Sequence, residues 1–398
     1  MTTRAEDRAS TAPLTPPPHP AGAAALAITR LSLSDFRCYR RLRLDCGPES
    51  VVLTGANGAG KTNLLEAVSF LAPGRGLRRA ALAEPDRRAR GQDEAGGPWA
   101  VAAVLATSAG PLAIGTGHEA GSERRVVRID GVARGGQKDL AERLSVVWLT
   151  PEMDRIFVEP PKARRRLLDR LVFGFHPEHA ASLSAYEHCQ RERARLLGEG
   201  VRDDSWLAAL EDGMARHGVA VAAARRVTVE RLDRTAREGW PHFPRARLAL
   251  AGEVDRWLET MPALAAEDRL RAGLAACRDG DAALGKAQLG PHRSDLAVHD
   301  LTRGFAAAEG STGEQKALLL SIMLAFARAL AAERGAPPIL LLDEVAAHLD
   351  RSRRAALFDA LHDLGCQAWL TGTDEEVFGG LAGRARFFRV FDATVTAR

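Results

Sequence analysis

The chain has 398 residues, 46% hydrophobic and 27% charged, with a formal net charge of +4, which describes a soluble globular protein with room for two or three domains. Five scattered cysteines without a C-x-x-C spacing exclude a disulfide framework or a zinc site and fit a reducing cytoplasm. The small positive balance permits a basic face for nucleic acid without requiring one.

Residues 1–26, with Pro13, Pro16, Pro17, Pro18 and Pro20, read as a disordered tail, and their pattern is not that of a secretory leader. From Ile28 apolar and polar residues alternate through Leu31, Leu33, Leu42 and Leu44, as in strands. The run Val51-Val52-Leu53 then meets Gly55-Ala56-Asn57-Gly58-Ala59-Gly60-Lys61-Thr62, followed by a helix-like stretch from Asn63. This is G-x-x-x-x-G-K-[ST] in the strand–loop–helix setting that the motif requires. The glycines let backbone N–H groups turn inward on a polyphosphate at a helix N-terminus. Lys61 is expected to reach the outer phosphates, the Thr62 hydroxyl to bind Mg²⁺, and Asn63 to complete the ATP-binding segment. Only five of the 55 basic residues are lysines, and two of them, Lys61 and Lys316, fall in motif-like segments.

Further along, Arg75, Arg78 and Arg79 follow the helix and are candidates to meet phosphates across a DNA groove. Strands are predicted at 99–107, 124–129 and 145–149. Helical spacing dominates from about 160 to 280, with helices expected at 163–173, 179–197 and 206–238. Arg164, Arg165, Arg166, Arg191, Arg193 and Arg195 form basic clusters there, read either as DNA contacts or as solvated helix faces. Strands return at 295–298, 339–342, 367–370 and 386–391. The apolar run 317–327 is too short to span a bilayer and predicts a buried helix, so no membrane is expected. No fixed-period repeat or sustained heptad run is present. The expected fold class is α/β: a P-loop ATPase head interrupted by a helical subdomain, without a long coiled coil. Its parts would be 27–157 with the phosphate loop, 158–285 as the helical insertion, and 286–398 as the second half of the head.

The second half carries the rest of a hydrolytic site. Ile339-Leu340-Leu341-Leu342-Asp343-Glu344 is a buried strand ending in two acids, and the carboxyl end of such a strand is where parallel sheets bind ligands. Asp343 can hold Mg²⁺ across from Thr62, and Glu344 can polarise the attacking water as general base. Ser311-Thr312-Gly313-Glu314-Gln315-Lys316 precedes the predicted buried helix. A serine hydroxyl, a glycine amide and a helix N-terminus make a γ-phosphate receptor, and equally an ordinary helix cap.

The segment 311–315 resembles the signature of ATP-binding-cassette (ABC-type) ATPases. In that family it docks on nucleotide held by a second subunit, so the resemblance implies an ATP-dependent homodimer, with Ser311, Gly313 and Gln315 facing the partner's ATP. Asp350 sits where that family has an interface aspartate. About 250 residues separate Lys61 from Ser311, a split typical of the chromosome-maintenance branch and not of transporter subunits.

From Ile28 onward the chain is similar to the bacterial RecF family of recombination mediators. The resemblance rests on Leu33-Ser34-Asp35-Phe36-Arg37-Cys38-Tyr39, the loop 55–67, Pro73-Gly74-Arg75-Gly76-Leu77-Arg78, Pro160 to Asp169, Gly290-Pro291-His292-Arg293-Ser294-Asp295-Leu296, and Thr371-Gly372-Thr373-Asp374. It implies a cytoplasmic ATPase that dimerises on ATP and binds double-stranded DNA. It also implies loading of recombinase at gapped or single-strand/double-strand junction DNA with RecO and RecR, and roles in replication, recombination and the SOS response. Arg37 could contact the adenine or ribose edge, or stabilise its loop. His292 and Arg293 are either catalytic or organisers of the junction between insertion and head. Glu152 stands where cassette ATPases place a Gln, and Thr373 is nearest to the missing switch His; His348 lies too early to replace it and suits an interface or surface. These departures suggest slow hydrolysis. A cassette ATPase acting as a protein-only regulatory switch, without DNA, is the alternative reading.

Overall fold

Each residue of the strand Ile339–Leu342 is buried, because the sheet it belongs to is covered on both faces. In this computed structural model, residues 26–87, 97–122, 124–134, 136–201 and 203–398 are described; residues 1–25 of the expected tail and the side chain of His348 lie outside them. The central sheet runs Thr394–Ala397, Ala385–Phe391, Ser50–Thr54, Ala368–Gly372, Ile339–Leu342, Val146–Leu149, parallel throughout except for the edge hairpin of its first two strands. Side chains alternate between two cores: Val51, Leu53, Ile339, Leu341 and Trp369 point to one, Val52, Leu340, Leu342 and Leu370 to the other. The fold class is α/β, as the alternation and the long apolar strand predict.

The first core is closed by an antiparallel sheet in the order Tyr39–Asp45, Ala27–Phe36, Trp99–Thr107, Gly110–His118, Arg125–Ile129, Val132–Ala133. The helix Lys61–Ser69 sends Leu64, Leu65 and Val68 into the same core. Phe36, Phe70 and Trp99 pack there with ring centroids 4.9–5.8 Å apart. Buried Gln367 stitches this sheet to the central one: its Oε1 accepts from Ile28 N–H at 2.8 Å, while its Nε2 donates to the carbonyls of Ile28, Gly47 and Glu49 at 2.9–3.1 Å. Gly110–His118 carries Gly115 and Gly117 and gave no strand signal; a Cβ on Gly117 would lie 2.5 Å from the Trp99 carbonyl, so the close pairing itself requires glycine.

The second core is built on Thr312–Arg334 and Pro161–Phe175, joined by Val229 and Leu232 of the 35-residue helix Asp204–Glu238. Thr312–Arg334 is long and apolar enough to cross a bilayer, yet 78% of its apolar window is buried inside the protein, as expected of a core helix. The predicted helices at 163–173, 179–197 and 206–238 are Pro161–Phe175, His179–Gly198 and Asp204–Glu238. A satellite core, with Tyr186, Met214, Val219, Trp257 and Leu270, sits among the helices between 179 and 284. Within that helical stretch one strand, Ala246–Ala251, was not foreseen; it pairs antiparallel with Asp295–Asp300 and so ties the insertion to the returning chain.

Much of the arginine in this region is internal. Arg193 is 1% exposed and bonds Glu211 at 3.0 Å and Asp281 at 2.7 Å, so it is not part of a basic surface. Arg164 is likewise removed from the surface by a bidentate pair with Asp295 and three backbone carbonyls. Arg191 and Arg195 do lie on a solvated face, paired with Glu187, Glu192 and Glu199 along their own helix.

Between the helices Pro161–Phe175, His179–Gly198 and Asp204–Glu238, Asp169 accepts two bonds from Arg225 at 2.8 Å and one from His179 at 2.9 Å, and Arg225 also donates to the Pro291 carbonyl. Burial opposes ionisation of Asp169, but Arg225 and His179 outweigh it and hold the carboxyl at about 2. His292 accepts from the Tyr186 hydroxyl at 2.6 Å and donates to the Ala287 carbonyl at 2.9 Å, which links the helix His179–Gly198 to the turn Pro291–Arg293. Arg225→Met should lower the unfolding free energy by about 3–5 kcal/mol, since it strands a buried carboxylate; urea unfolding near neutral pH measures it. Because the folded carboxyl sits below its unfolded value of about 3.9, its contribution is complete above that value and is lost as pH falls through about 2. The Arg225→Met protein should lack this loss in an acid series of unfolding curves.

Candidate functional site

The phosphate loop leaves the strand Ser50–Thr54 at its carboxyl end and is shaped by three glycines with positive φ: Gly55 at 153°, Gly58 at 79° and Gly60 at 114°. A Cβ on Gly55 would meet the Val390 carbonyl at 2.1 Å, and one on Gly60 the Tyr39 hydroxyl at 2.7 Å. Around Gly58, by contrast, nothing lies within 4 Å of such an atom, so the middle of the loop is open to a ligand. Ala56 and Asn57 are exposed beside it, and Ala59 is braced through its carbonyl by Ala393 N–H. Lys61 is buried and folds back over the loop, donating to the carbonyls of Gly55 at 2.6 Å and Ala56 at 2.9 Å. Burial lowers the pKa of its ammonium, against the pull of Glu344 and Asp343.

Those acids come from a segment distant in sequence. Thr62 Oγ1 lies 3.1 Å from both carboxylate oxygens of Asp343, 281 residues away in the chain. Parallel strands bring them together, with Ser50–Thr54 and Ile339–Leu342 flanking Ala368–Gly372 and all ending at one edge. Thr371 lies on the strand between and is fully buried; its hydroxyl donates to Asp343 Oδ1 at 2.7 Å and accepts from Glu344 N–H at 2.9 Å. Glu344 has φ of 54°, a left-handed value that turns its carboxylate off the strand line. A hydroxyl and a carboxylate facing each other form an all-oxygen donor pair that suits Mg²⁺, and the open loop suits a polyphosphate. Thr371 enters the sequence reading only within the stretch Thr371-Gly372-Thr373-Asp374, without a role of its own; the signal for one is a polar residue closing an apolar strand beside the acid-bearing one.

Glu66, on the first helix, is fully buried and gathers the other arginines of the loop region. Arg37 binds both its carboxylate oxygens, at 2.8 and 2.5 Å, and reaches the Glu84 carbonyl at 3.0 Å. Arg78 donates to Glu66 at 3.0 Å and to Asn63 Oδ1 at 2.7 Å, and Asn63 Nδ2 contacts Cys38 Sγ at 3.1 Å. Arg75, Arg78 and Arg79 are exposed but differently engaged: Arg78 is tied to Glu66, and Arg79 faces Glu152 and Arg166.

The cleft that holds Thr62, Asp343 and Glu344 is also lined by Glu152, on the turn Pro151–Arg155 after the strand Val146–Leu149. Thr373 is exposed just past Ala368–Gly372 and is not among the lining residues. Ser311, Gly313 and Gln315 stand outside this cleft. Ser311 caps Thr312–Arg334 in a capping box: Glu314 N–H donates to its hydroxyl at 3.4 Å, and Glu314 Oε2 accepts from Ser311 N–H at 2.7 Å. Gln315 donates to the Gly310 carbonyl at 2.8 Å, and Lys316 bonds Asp154 at 3.1 Å, so the helix start is linked to the turn bearing Glu152. Asp350 is exposed and caps Arg351–Asp363 by accepting from Arg353 N–H at 2.8 Å.

Residues 30–83 match the family described as AAA domain. The chain is 48% identical over 374 residues to the DNA replication and repair protein RecF of Mesorhizobium japonicum, covering 92% of this chain and 97% of that one. It is 49% identical over 383 residues to the protein of the same name from Caulobacter vibrioides, covering 94% and 98%. A structure of the recombination mediator protein RecF-ATP in the RecFOR pathway has the same fold, with a TM-score of 0.80 at 22% identity over 96% of this chain and all of that one. The Smc head domain of Pyrococcus furiosus is similar at a TM-score of 0.52 and 15% identity, covering 94% and 96%.

The Thr371 hydroxyl is predicted to position both acids. Thr371→Val should cost about 1–3 kcal/mol in unfolding free energy and about 10- to 100-fold in nucleotide hydrolysis through misplacement of Asp343 and Glu344. Thr371→Ser should retain most of both, as read by steady-state phosphate production.

Proposed function

The chain belongs to the RecF family of DNA replication and repair proteins, and from that premise we propose that it is an ATP-dependent, double-stranded-DNA-binding repair protein whose homodimer closes on ATP. The observation that carries the reading is the meeting of Thr62 with Asp343, with Glu344 one residue beyond and an open glycine loop beside them. The loop amides and Lys61 would bind the β- and γ-phosphates, and Thr62 and Asp343 would hold Mg²⁺. That ion, when bound, neutralises charge developing on the phosphates. Glu344 accepts a proton from the attacking water, and Thr371 fixes the backbone from which it projects.

Ser311 and Gly313 lie outside the protomer's own cleft, on an exposed helix start. This supports the reading that they serve the nucleotide of a second copy, with Asp350 at the same interface. Glu152 in place of a neutral Gln, and Thr373 where a His would otherwise stand, support slow hydrolysis and a switch in place of a motor. The proposed role is loading of recombinase at gapped or junction DNA in the cytoplasm, with RecO- and RecR-type partners and within the SOS response. Arg75, Arg78 and Arg79 are proposed DNA contacts, with binding that is independent of sequence and falls with salt.

Gel shifts with duplex DNA test this against a protein-only switch. Binding should require ATP, disappear with ADP, and be lost in Lys61→Arg protein; indifference to nucleotide would remove the DNA reading. Turnover should stay at or below about 1 per second, the low end of ordinary enzymes, and tens per second would contradict a timing switch.

A further inference from the structure

The cleft beyond Asp343 and Glu344 encloses about 890 Å³ and runs against three arginines drawn from two segments. Arg79 comes from the turn after Lys61–Ser69, while Arg166 and Arg170 stand one helical turn apart on Pro161–Phe175. Arg170 lies over the Trp148 ring, 3.7 Å from its centroid, and donates to the Trp148 carbonyl at 3.0 Å. Arg166 Nε is buried and has no hydrogen-bond partner among the described residues. Burial and the neighbouring arginines lower the pKa of Arg79 and bring Arg170 down to about 9. Glu152 attracts Arg79 and Glu159 attracts Arg166, whereas the charges that bear on Arg170 are Arg79 and Arg166. Three guanidinium groups lining one cleft, one of them with a buried N–H that lacks an acceptor among the described residues, suit an incoming oxyanion.

We propose that Arg79, Arg166 and Arg170 form a phosphate subsite next to the γ-phosphate position. The assignment of that position rests on the ATPase reading above. In an in-line displacement the water oxygen bonds to the γ-phosphorus on the side away from the leaving oxygen, and the bond to the β-phosphate oxygen breaks. Glu344 takes the water's proton, so the freed phosphate moves toward Glu344, the side on which this cleft opens. The same oxyanion chemistry has a second source, a backbone phosphate of duplex DNA.

The test is direct titration of inorganic phosphate into the ADP-bound protein, followed by calorimetry or phosphorus NMR, for wild type, Arg79→Gln, and Arg79→Gln/Arg166→Gln. Phosphate affinity should fall about tenfold or more in the double variant, with ADP affinity and far-ultraviolet circular dichroism kept. Arg79→Gln, on an exposed turn, keeps the test available should the double variant not fold, and should show part of the loss. Duplex titration of ATP-bound Glu344→Gln protein, the state expected to hold DNA, separates the sources: duplex affinity kept in the double arginine variant identifies the cleaved group, and a loss of about tenfold identifies the DNA backbone. Equal phosphate affinity in wild type and variants, or no binding to either, overturns the subsite. Absence of ATP hydrolysis alongside arginine-dependent phosphate binding would overturn the ATPase reading and leave the subsite standing.

Discussion

Asp343 is the point at which three separate segments of the chain meet. Its carboxylate is 6% exposed and is held between Thr62, at the start of the first helix, and Thr371, at the end of the neighbouring strand. A carboxylate removed from water at a sheet edge is costly unless hydrogen bonds or a cation satisfy it. Here two hydroxyls from separate strand–loop units do so, and its own N–H is fixed by the Leu149 carbonyl. The parallel sheet therefore has one purpose beyond stability, to bring residues 62, 343 and 371 to one edge.

Around that point the chain spends its arginines on internal order. Glu66 is fully buried and would be untenable without Arg37 and Arg78, which also fix Asn63 and the loop near Pro85. Asp169 with Arg225, Asp295 with Arg164, and Glu211 and Asp281 with Arg193 repeat the device between helices and between helix and strand. Arginine suits these places because its planar fork satisfies both oxygens of one carboxylate, as Arg225 and Arg164 do, or bridges two carboxylates, as Arg193 does. A small net charge thus conceals a large number of paired charges, and surface basicity cannot be counted from composition.

Ser50–Thr54, Val146–Leu149, Ile339–Leu342 and Ala368–Gly372 were legible because burial on both faces leaves an apolar run, and the long helices because three- and four-residue spacing survives over many turns; the exposed edge strand Thr394–Ala397 lacks such a run and was not foreseen. The phosphate loop and the acid pair were legible because each needs fixed residue types at fixed spacing. Gly110–His118 was not, since its glycines answer to the close approach of Trp99–Thr107 and erase the alternating pattern. Ala246–Ala251 was hidden by alanine and arginine, which read equally as helix, and only its partner Asp295–Asp300 makes it a strand. The roles of Thr371 and of buried Arg193 and Arg164 depend on contacts across long sequence separations, which spacing does not encode. Whether Ser311 meets a second protomer is of the same kind.

We propose that the site is complete only when two chains share ATP, Glu344 from one and Ser311 from the other. Light scattering of Glu344→Gln protein in excess Mg·ATP tests it most directly, because the water loses its base while the nucleotide stays bound. A stable dimer is expected, returning to monomer when Ser311→Arg is added or ATP is replaced by ADP. A Glu344→Gln protein that remains monomeric with ATP bound would contradict it.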